Sequence, residues 1–574
     1  MCGIGAISFR QPRSADMVTA LKSINRNQHA RGPDGSGMTL AASSGIGMVR
    51  LRMRAEMAEP EPIPLGNECF AAYNGEVYWD GVTLPEGGMG EVLTLVGDQP
   101  EAVDGMFAIA TLDRRQDNIR LQRDRFGIKP LYKREIEGGV AVASTIRGLI
   151  GAFGRPSVRH AAIEQFLAFG RPLDGGSFFD DISEVPRGTQ WVMTGGQLVP
   201  ETSLHAMSEP RTSFASEFVL PKTLRVALQS SLQRVQPSTR AMGLAVSGGL
   251  DSTILADQLA EMGVEDLRTV SIRVAGSSDG ISNLSQLGIK ARAAQSWTHT
   301  TRTVTPESFA HGVERAAAQM GEPSRMSSIP LYAALADCAA DAGIVMLLVG
   351  EGADELFMGY SSYAAVTSGK ATAISEFLIP STRCPYLDAL MGPGFAAQMK
   401  TFAHDIYPDI PAMAPLDRLR QIELDHSLGP LLQRADHLMM ARSIEARTPF
   451  LHGSVPELAL AVPAARHMAG GQNKALLRSA FPEVQSRPGP WRTKLPFRAP
   501  ITDWLRGPLQ SWLDATLRSG EELLVDLGLR RAGLNLVRAD LARDRGAAYE
   551  VAYTLLSLIF WKRWLDEGAN DAAR

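Results

Sequence analysis

Hydrophobic and polar positions alternate in short runs over the first 150 residues. The runs Ile4–Phe9, Gly47–Leu51, Phe70–Tyr73, Met106–Leu112 and Gly139–Ser144 are punctuated by Gly, Pro, Asn and Asp, which predicts strands. Met17, Leu21 and Ile24 recur at helical spacing and predict a helix over Ser14–Asn27. Beyond residue 150 the segments lengthen. Ala161–Phe169 reads as a helix, and Gly188–Leu198 as a hairpin turning at Gly195-Gly196. Ser208–Glu217 is mostly polar and reads as an interdomain linker. Leu224–Val235 has the spacing of an amphipathic helix. Two apolar runs then read as buried strands, Leu244-Ala245-Val246 and Gly343–Val349, and Val270–Arg273 looks like a further strand between them.

Even the densest of these runs falls far short of the ~18 apolar residues of a membrane span. No basic segment followed by an apolar stretch opens the chain. The expectation is a soluble, cytoplasmic protein with no membrane partner. A length of 574 residues is too great for one core and predicts roughly two to four domains. A net charge of −4 supplies no basic field to attract nucleic acid. Cys2, Cys69, Cys338 and Cys384 lack the paired spacing of a zinc site or disulfide framework, so a reducing compartment is expected.

Candidate chemistry begins at Cys2. If Met1 is removed, one residue carries both a thiol and a free α-amine. The thiol titrates near ~8.5 and the amine near ~7.7–8.0, so nucleophile and base are joined. Polar clusters sit at the ends of the predicted strands: Arg31-Gly32-Pro33-Asp34, Arg50, Asn74-Gly75-Glu76, and Asp124 to Tyr132. Taken singly each has an ordinary reading: a turn, a solvated charge at Arg50, a hairpin signal at Asn74-Gly75.

Together and in this order, they resemble the glutaminase domain of the asparagine synthetase B family, an N-terminal-nucleophile amidotransferase. The resemblance implies Cys2 as nucleophile, Arg50 as clamp for the glutamine α-carboxylate, Asn74 and Gly75 as oxyanion hole, and Glu76 as a further glutamine ligand. The residue types suit the chemistry. A guanidinium grips a carboxylate in bidentate fashion, and an amide with a backbone N–H can face a developing oxyanion. One position departs. The family places an Asp for the glutamine α-ammonium before a Glu-Val-Ile/Leu run. This chain reads Gly88-Met89-Gly90-Glu91-Val92-Leu93, with Met89 where Asp is expected. Glu86 and Glu91 are the candidate substitutes.

The strongest motif lies later. The strand Leu244-Ala245-Val246 runs into Ser247-Gly248-Gly249-Leu250-Asp251-Ser252 and then a helix. Two glycines allow close backbone approach to a ligand, N–H groups and Ser hydroxyls can face anionic oxygens, and Asp251 can hold Mg²⁺. No Gly-Lys-Ser/Thr ending follows, so this is not a Walker A loop. It resembles the pyrophosphate loop of ATP-dependent adenylating enzymes. That resemblance implies ATP contacts at Leu244, Ser247, Gly248, Gly249, Asp251, Ser252, Ile272, Gly350 and Lys474. It also implies Mg²⁺ on Asp251 and Asp354, substrate or intermediate handling by Glu351, and charge neutralisation by Lys474. The segments Gly350–Phe357, Asp436–Leu451 and Lys474–Arg478 match family signatures, and Arg492–Phe497 fits a later basic element less specifically. For Lys474 and Arg478 the ordinary alternative is a solvated helix face. Val349 replaces a usual Ser, Ile281–Gln286 lacks an acidic pair, and His452 stands where Asp is frequent.

The implied fold is an α+β N-terminal-nucleophile αββα sandwich over 1–205. An α/β adenine-nucleotide α-hydrolase-like synthetase domain follows over 206–574. The implied function is a glutamine-dependent amidotransferase: ammonia from glutamine reaches, through an internal tunnel, a carboxylate adenylated by ATP. Aspartate is the default acceptor, and another carboxylic acid also fits. The alternatives are an intramolecular amide-forming ligase resembling β-lactam synthetases or lasso-peptide cyclases, and a catalytically silent metabolite-binding regulator. A homodimer is left open. Gly568–Arg574 reads as a disordered tail.

Overall fold

The computed structural model describes residues 2–53, 61–66, 68–78, 90, 93–94, 96, 103–203, 220–236, 240–276, 284–289, 292–360, 363, 378–408, 413–486 and 498–567. The expected linker 208–217, the candidate glutamine-site positions Glu86, Met89 and Glu91, the basic segment 492–497 and the tail 568–574 lie outside these residues.

The first strand, Cys2–Phe9, is buried along its whole length. Its side chains alternate between two layers, as the period-2 pleat requires. Cys2, Ile4 and Ala6 point into a core shared with Ala72, Phe107 and Ile109. Ile7 and Phe9 join Met17, Leu21 and Ile24 of the helix Ser14–Asn27 in a second core. Gly3 and Gly5 let that helix come close. A Cβ on Gly5 would meet Ile24 Cγ2 at 2.8 Å, and one on Gly3 would meet Gln28 Cβ at 2.9 Å.

This strand lies inside a six-stranded antiparallel sheet ordered Ile182–Glu184, Tyr132–Ile136, Gly139–Ala143, Cys2–Phe9, Ser44–Arg50, Gly35–Leu40. Register sets Cys2 opposite Arg50. A second antiparallel sheet is ordered Gln197–Ser203, Thr189–Thr194, Asn118–Arg123, Asp104–Asp113, Cys69–Tyr78, Ile63–Pro64. The hairpin at Gly195-Gly196 forms where expected. The Asn74-Gly75 pair does not turn. The strand predicted over Phe70–Tyr73 continues to Tyr78, paired throughout with Asp104–Asp113. Cross-strand pairing overrides the local turn preference, and Gly75 absorbs the local geometry at φ +118.

The third sheet is parallel, ordered Thr298–Val304, Arg268–Val274, Met242–Ala245, Met346–Leu348, Glu445–Arg447. The chain winds outward from Met242–Ala245 in one direction, then returns to its other side at Met346–Leu348. The switch point of such a sheet leaves a crevice at the strands' carboxyl ends. Both candidate ATP-site loops, 247–252 and 350–354, leave the sheet there. The run Gly343–Val349 yields only Met346–Leu348 as strand, because Gly343 turns at φ +67. The helix expected over Leu224–Val235 starts earlier, at Leu220.

The two parts share a core. Leu51, Met53, Tyr78, Met106, Phe126 and Ile128 of the first pack in one cluster with Leu228, Leu232 and Val246 of the second. Among the described residues no helix is long and apolar enough to cross a membrane.

Candidate active sites

Cys2 is 1% exposed. Its backbone nitrogen donates to Asn74 Oδ1 at 3.2 Å, and its carbonyl accepts from Arg31 Nε at 3.2 Å. Asn74 is buried, and among the described residues its Nδ2 has no hydrogen-bond partner. An amide donor is therefore held beside the cysteine with no acceptor among the described residues, which is the chemistry an oxyanion would satisfy. Gly75 follows it with no room for a side chain: a Cβ would meet Met106 O at 1.8 Å. Burial pushes the Cys2 thiol above its ordinary value, while the nearby Arg50 cation pulls it down.

Arg50 is buried rather than solvated. Glu61 Oε1 stands 3.9 Å from Arg50 Nη1 and 3.4 Å from Arg52 Nη2. A carboxylate thus already lies beside the predicted clamp, from a residue that sequence reasoning did not single out. Glu76 leaves its strand on the same face as Asn74. Its Oε1 accepts from Arg447 Nη2 at 3.1 Å, across the junction between the two parts.

In the second part, Leu244 is buried in the strand Met242–Ala245 and Ile272 lies on the neighbouring one. The loop between strand and helix Leu250–Glu261 is pinned from within. Ser247 Oγ and Ser252 Oγ are 3.2 Å apart, and Gly249 N donates to Ser247 Oγ at 3.2 Å. Gly248 sits at φ +78, a conformation that favours glycine. Gly350 borders the loop closely, since a Cβ there would meet Asp251 Cβ at 3.2 Å.

Lys474 is 2% exposed, not on a solvated helix face. Its ammonium lies 2.6 Å from both Asp251 oxygens and 2.7 Å from Asp354 Oδ1. Against the cost of burial, Asp251 and Asp354 push the Lys474 pKa above its ordinary value. Two carboxylates, each in the first turn of the helix that follows its loop, therefore converge on one cation position, here filled by an ammonium. Oxygen donors so placed fit Mg²⁺. Gly359, which the sequence did not flag, makes the arrangement fit: a Cβ there would meet Asp354 Oδ1 at 1.8 Å and Lys474 Cε at 2.3 Å.

Glu351 accepts from Arg434 Nη2 at 2.7 Å. Arg434 also donates to Ser328 Oγ at 2.5 Å and lies 4.5 Å over the Tyr332 ring. Burial, with Asp354 alongside, pushes the neighbouring Glu355 up to about 8, and the Tyr360 hydroxyl donates to it.

Arg434 stands on the helix Leu428–Met440, two residues before Asp436. Asp436 pairs with Arg31 Nη1 at 2.7 Å and Lys129 Nζ at 3.3 Å. Against the cost of burial, these cations hold its carboxyl down at about 2. Arg31 in turn holds the Cys2 carbonyl. One helix thus holds Glu351 through Arg434 and reaches the Cys2 strand through Asp436 and the intervening Arg31. The signature match over Asp436–Leu451 pointed to the end of this element, while Arg434 lies just before that match.

Residues 223–565 match the family model "Asparagine synthase", and residues 92–202 match "Glutamine amidotransferase domain". The chain is 24% identical to asparagine synthetase [glutamine-hydrolyzing] 1 of Bacillus subtilis (strain 168), over 99% of this chain and 98% of that protein. It is 25% identical to a putative asparagine synthetase [glutamine-hydrolyzing] of Mycobacterium tuberculosis (strain ATCC 25618 / H37Rv), over 91% of each. With the asparagine synthetase [glutamine-hydrolyzing] of Gallus gallus the identity is 24%, over 93% of this chain and 89% of the relative. The first family match alone spans more than half of the residues, so the chain belongs to the asparagine synthase family.

Proposed function

We propose that the chain is an ATP-dependent carbon–nitrogen ligase that takes its nitrogen from glutamine. The observation that carries this reading is the single helix joining the two centres, through Arg434 to Glu351 and through Asp436 and Arg31 to Cys2. We divide the chain into a glutaminase domain, 1–205, and a synthetase domain, 206–574. The ends of the two family matches, at 202 and 223, support that boundary. Two facing antiparallel sheets with a helix on one outer side support an αββα sandwich for the first. A parallel sheet with both loops at its switch point supports an adenine-nucleotide α-hydrolase-like second domain.

In this reading Met1 is removed and the α-amine of Cys2 takes the thiol proton. The sulfur bonds to the glutamine amide carbon, Asn74 Nδ2 and the Gly75 N–H receive the oxyanion, and Arg50 and Glu76 hold the substrate's charged end. The C–N bond breaks, the amine's proton goes to the leaving nitrogen, and ammonia departs. Water then cleaves the thioester to glutamate. In the second domain an acceptor carboxylate oxygen bonds to the α-phosphorus of ATP, and pyrophosphate leaves. Leu244 and Ile272 border the nucleotide. Ser247, Gly248, Gly249, Ser252 and Gly350 cradle the phosphates. Asp251 and Asp354 would hold Mg²⁺, which when bound screens phosphate charge. That requires Lys474 to leave its position between them and turn to the phosphate oxygens. Ammonia attacks the acyl-adenylate carbon beside Glu351, and AMP leaves. Aspartate is the first acceptor to test. The relatives' names, which specify glutamine hydrolysis, do not favour an intramolecular ligase.

The test incubates protein, ATP and Mg²⁺ with glutamine or ammonium and a panel of carboxylic acids. Mass spectrometry is expected to find AMP and an amide in equal amounts for at least one acid. ADP as the nucleotide product, or no amide with either donor, overturns the proposal.

A further inference from the structure

The candidate glutamine pocket belongs to the first domain, yet one of its charged walls is anchored in the second. Glu76 is mostly buried, with its side chain 12% exposed, and it shares a strand face with Asn74. Such a carboxylate can receive a ligand ammonium only if it keeps one rotamer. Arg447 meets that need. Its guanidinium is 3% exposed and spends its three nitrogens on three partners: Nη2 on Glu76 Oε1 at 3.1 Å, Nη1 on Val235 O at 2.6 Å, and Nε on Glu445. A guanidinium tied at all three nitrogens has no freedom to wander. Among the described residues, none donates to Glu76 Oε2, so one oxygen is held and the other is left to accept.

The main chain of Arg447 is equally committed. It pairs in register with Leu348, and its carbonyl accepts from Val349 N at 2.9 Å, directly before Gly350 and Glu351. The same residue therefore fixes the strand that delivers the adenylation loop and the carboxylate beside the oxyanion hole.

We propose that Arg447 is a positioning residue for glutamine, supplied by the synthetase domain to complete the glutaminase pocket by fixing Glu76. This rests on the amidotransferase reading. Arg447 touches no substrate and acts through Glu76. Its loss leaves Glu76 partly desolvated and free to rotate, so the penalty falls on glutamine binding more than on bond cleavage.

The experiment uses full-length wild type, Arg447→Lys, Arg447→Met, Glu76→Gln and the double variant Glu76→Gln/Arg447→Met. Glutamine hydrolysis is measured with KM and kcat resolved, alongside thermal unfolding. Arg447→Met is expected to raise KM for glutamine by about tenfold, the scale of one charge-assisted hydrogen bond, with a smaller change in kcat. Arg447→Lys should recover part of that loss, because it restores charge without the fork. The double variant should be no worse in KM than the worse single one, since both remove the same interaction. An unchanged KM in Arg447→Met, with only a lower unfolding temperature, assigns Arg447 a structural role and overturns the proposal. Additive KM effects in the double variant overturn it too. Should Arg447→Met not fold, Arg447→Lys and Glu76→Gln decide: a wild-type KM in both refutes it. If wild type hydrolyses no glutamine at all, the amidotransferase reading itself fails, which is a distinct result.

Discussion

Replacing Asp436 by Asn removes one charge from the junction between the two centres. Asp436 is 2% exposed and faces Arg31 and Lys129, both buried. Its carboxyl is held at about 2, against ~3.9 for an ordinary aspartate. That gap is worth roughly 2.5 kcal/mol of stability at pH 7. The sign follows from a depressed carboxylate: the contribution is present above pH ~3.9 and is lost as pH falls toward 2. Asn also strands two buried cations, and breaking a buried pair costs about 3–5 kcal/mol. The two routes bracket the effect at roughly 2.5–5 kcal/mol. Urea unfolding followed by tryptophan fluorescence at pH 7 should show the first transition moving to lower denaturant. Because Arg31 also holds the Cys2 carbonyl, glutamate released per AMP formed should rise above one. An unchanged midpoint together with a ratio of one refutes the argument that this ion cluster joins the centres.

Asp251→Asn and Asp354→Asn should each abolish AMP formation while sparing part of glutamine hydrolysis; near-normal AMP output by either removes that residue from the site. Met89→Asp should improve kcat/KM for glutamine by about tenfold, the value of one partly recovered charge-assisted hydrogen bond. No gain, together with tight glutamine use by wild type, points to Glu86 or Glu91 instead. Burial depresses His437 and His467 to about 4, well below the ~6.5 of free histidine. The native state thus keeps them neutral while the unfolded chain takes up protons. Stability should fall as pH drops from about 6.5 toward 4, by up to roughly 3 kcal/mol for each. His467→Gln should flatten the melting temperature between pH 7 and 5, and an undiminished slope counts against this.

Local patterns that agree with their long-range partners were readable in the chain. The helix Ser14–Asn27 and the turn at Gly195-Gly196 fall where spacing and turn chemistry put them. Asn74-Gly75 was misleading, because its hairpin signal is local and the pairing that overrides it comes from Asp104–Asp113, some thirty residues on. Cys2, Asn74, Asp251, Asp354 and Lys474 were singled out by a family resemblance carried by several motifs in order, since taken alone most of them have an ordinary reading. How they are joined was not. Asp436 and Arg447 fall inside a segment that matches a family signature and Arg434 just before it, yet no spacing rule distinguishes an arginine that crosses between the two parts from one facing water. Burial makes that distinction: Arg50, Arg447 and Lys474 are each 3% exposed or less. Glu61 and Gly359 were equally silent, since their partners are distant in sequence or defined by shape alone.

The central claim is that nitrogen freed at Cys2 is consumed at the adenylation site of the same chain. Glutamine labelled with ¹⁵N in its amide, supplied with ATP, Mg²⁺, the acceptor acid and unlabelled ammonium, tests it directly by mass spectrometry of the amide product. Wild type should place ¹⁵N in most of the product. Cys2→Ala should hydrolyse no glutamine yet still form unlabelled amide from ammonium. Product that matches the unlabelled ammonium pool in wild type, or loss of both activities together in folded Cys2→Ala, contradicts the account.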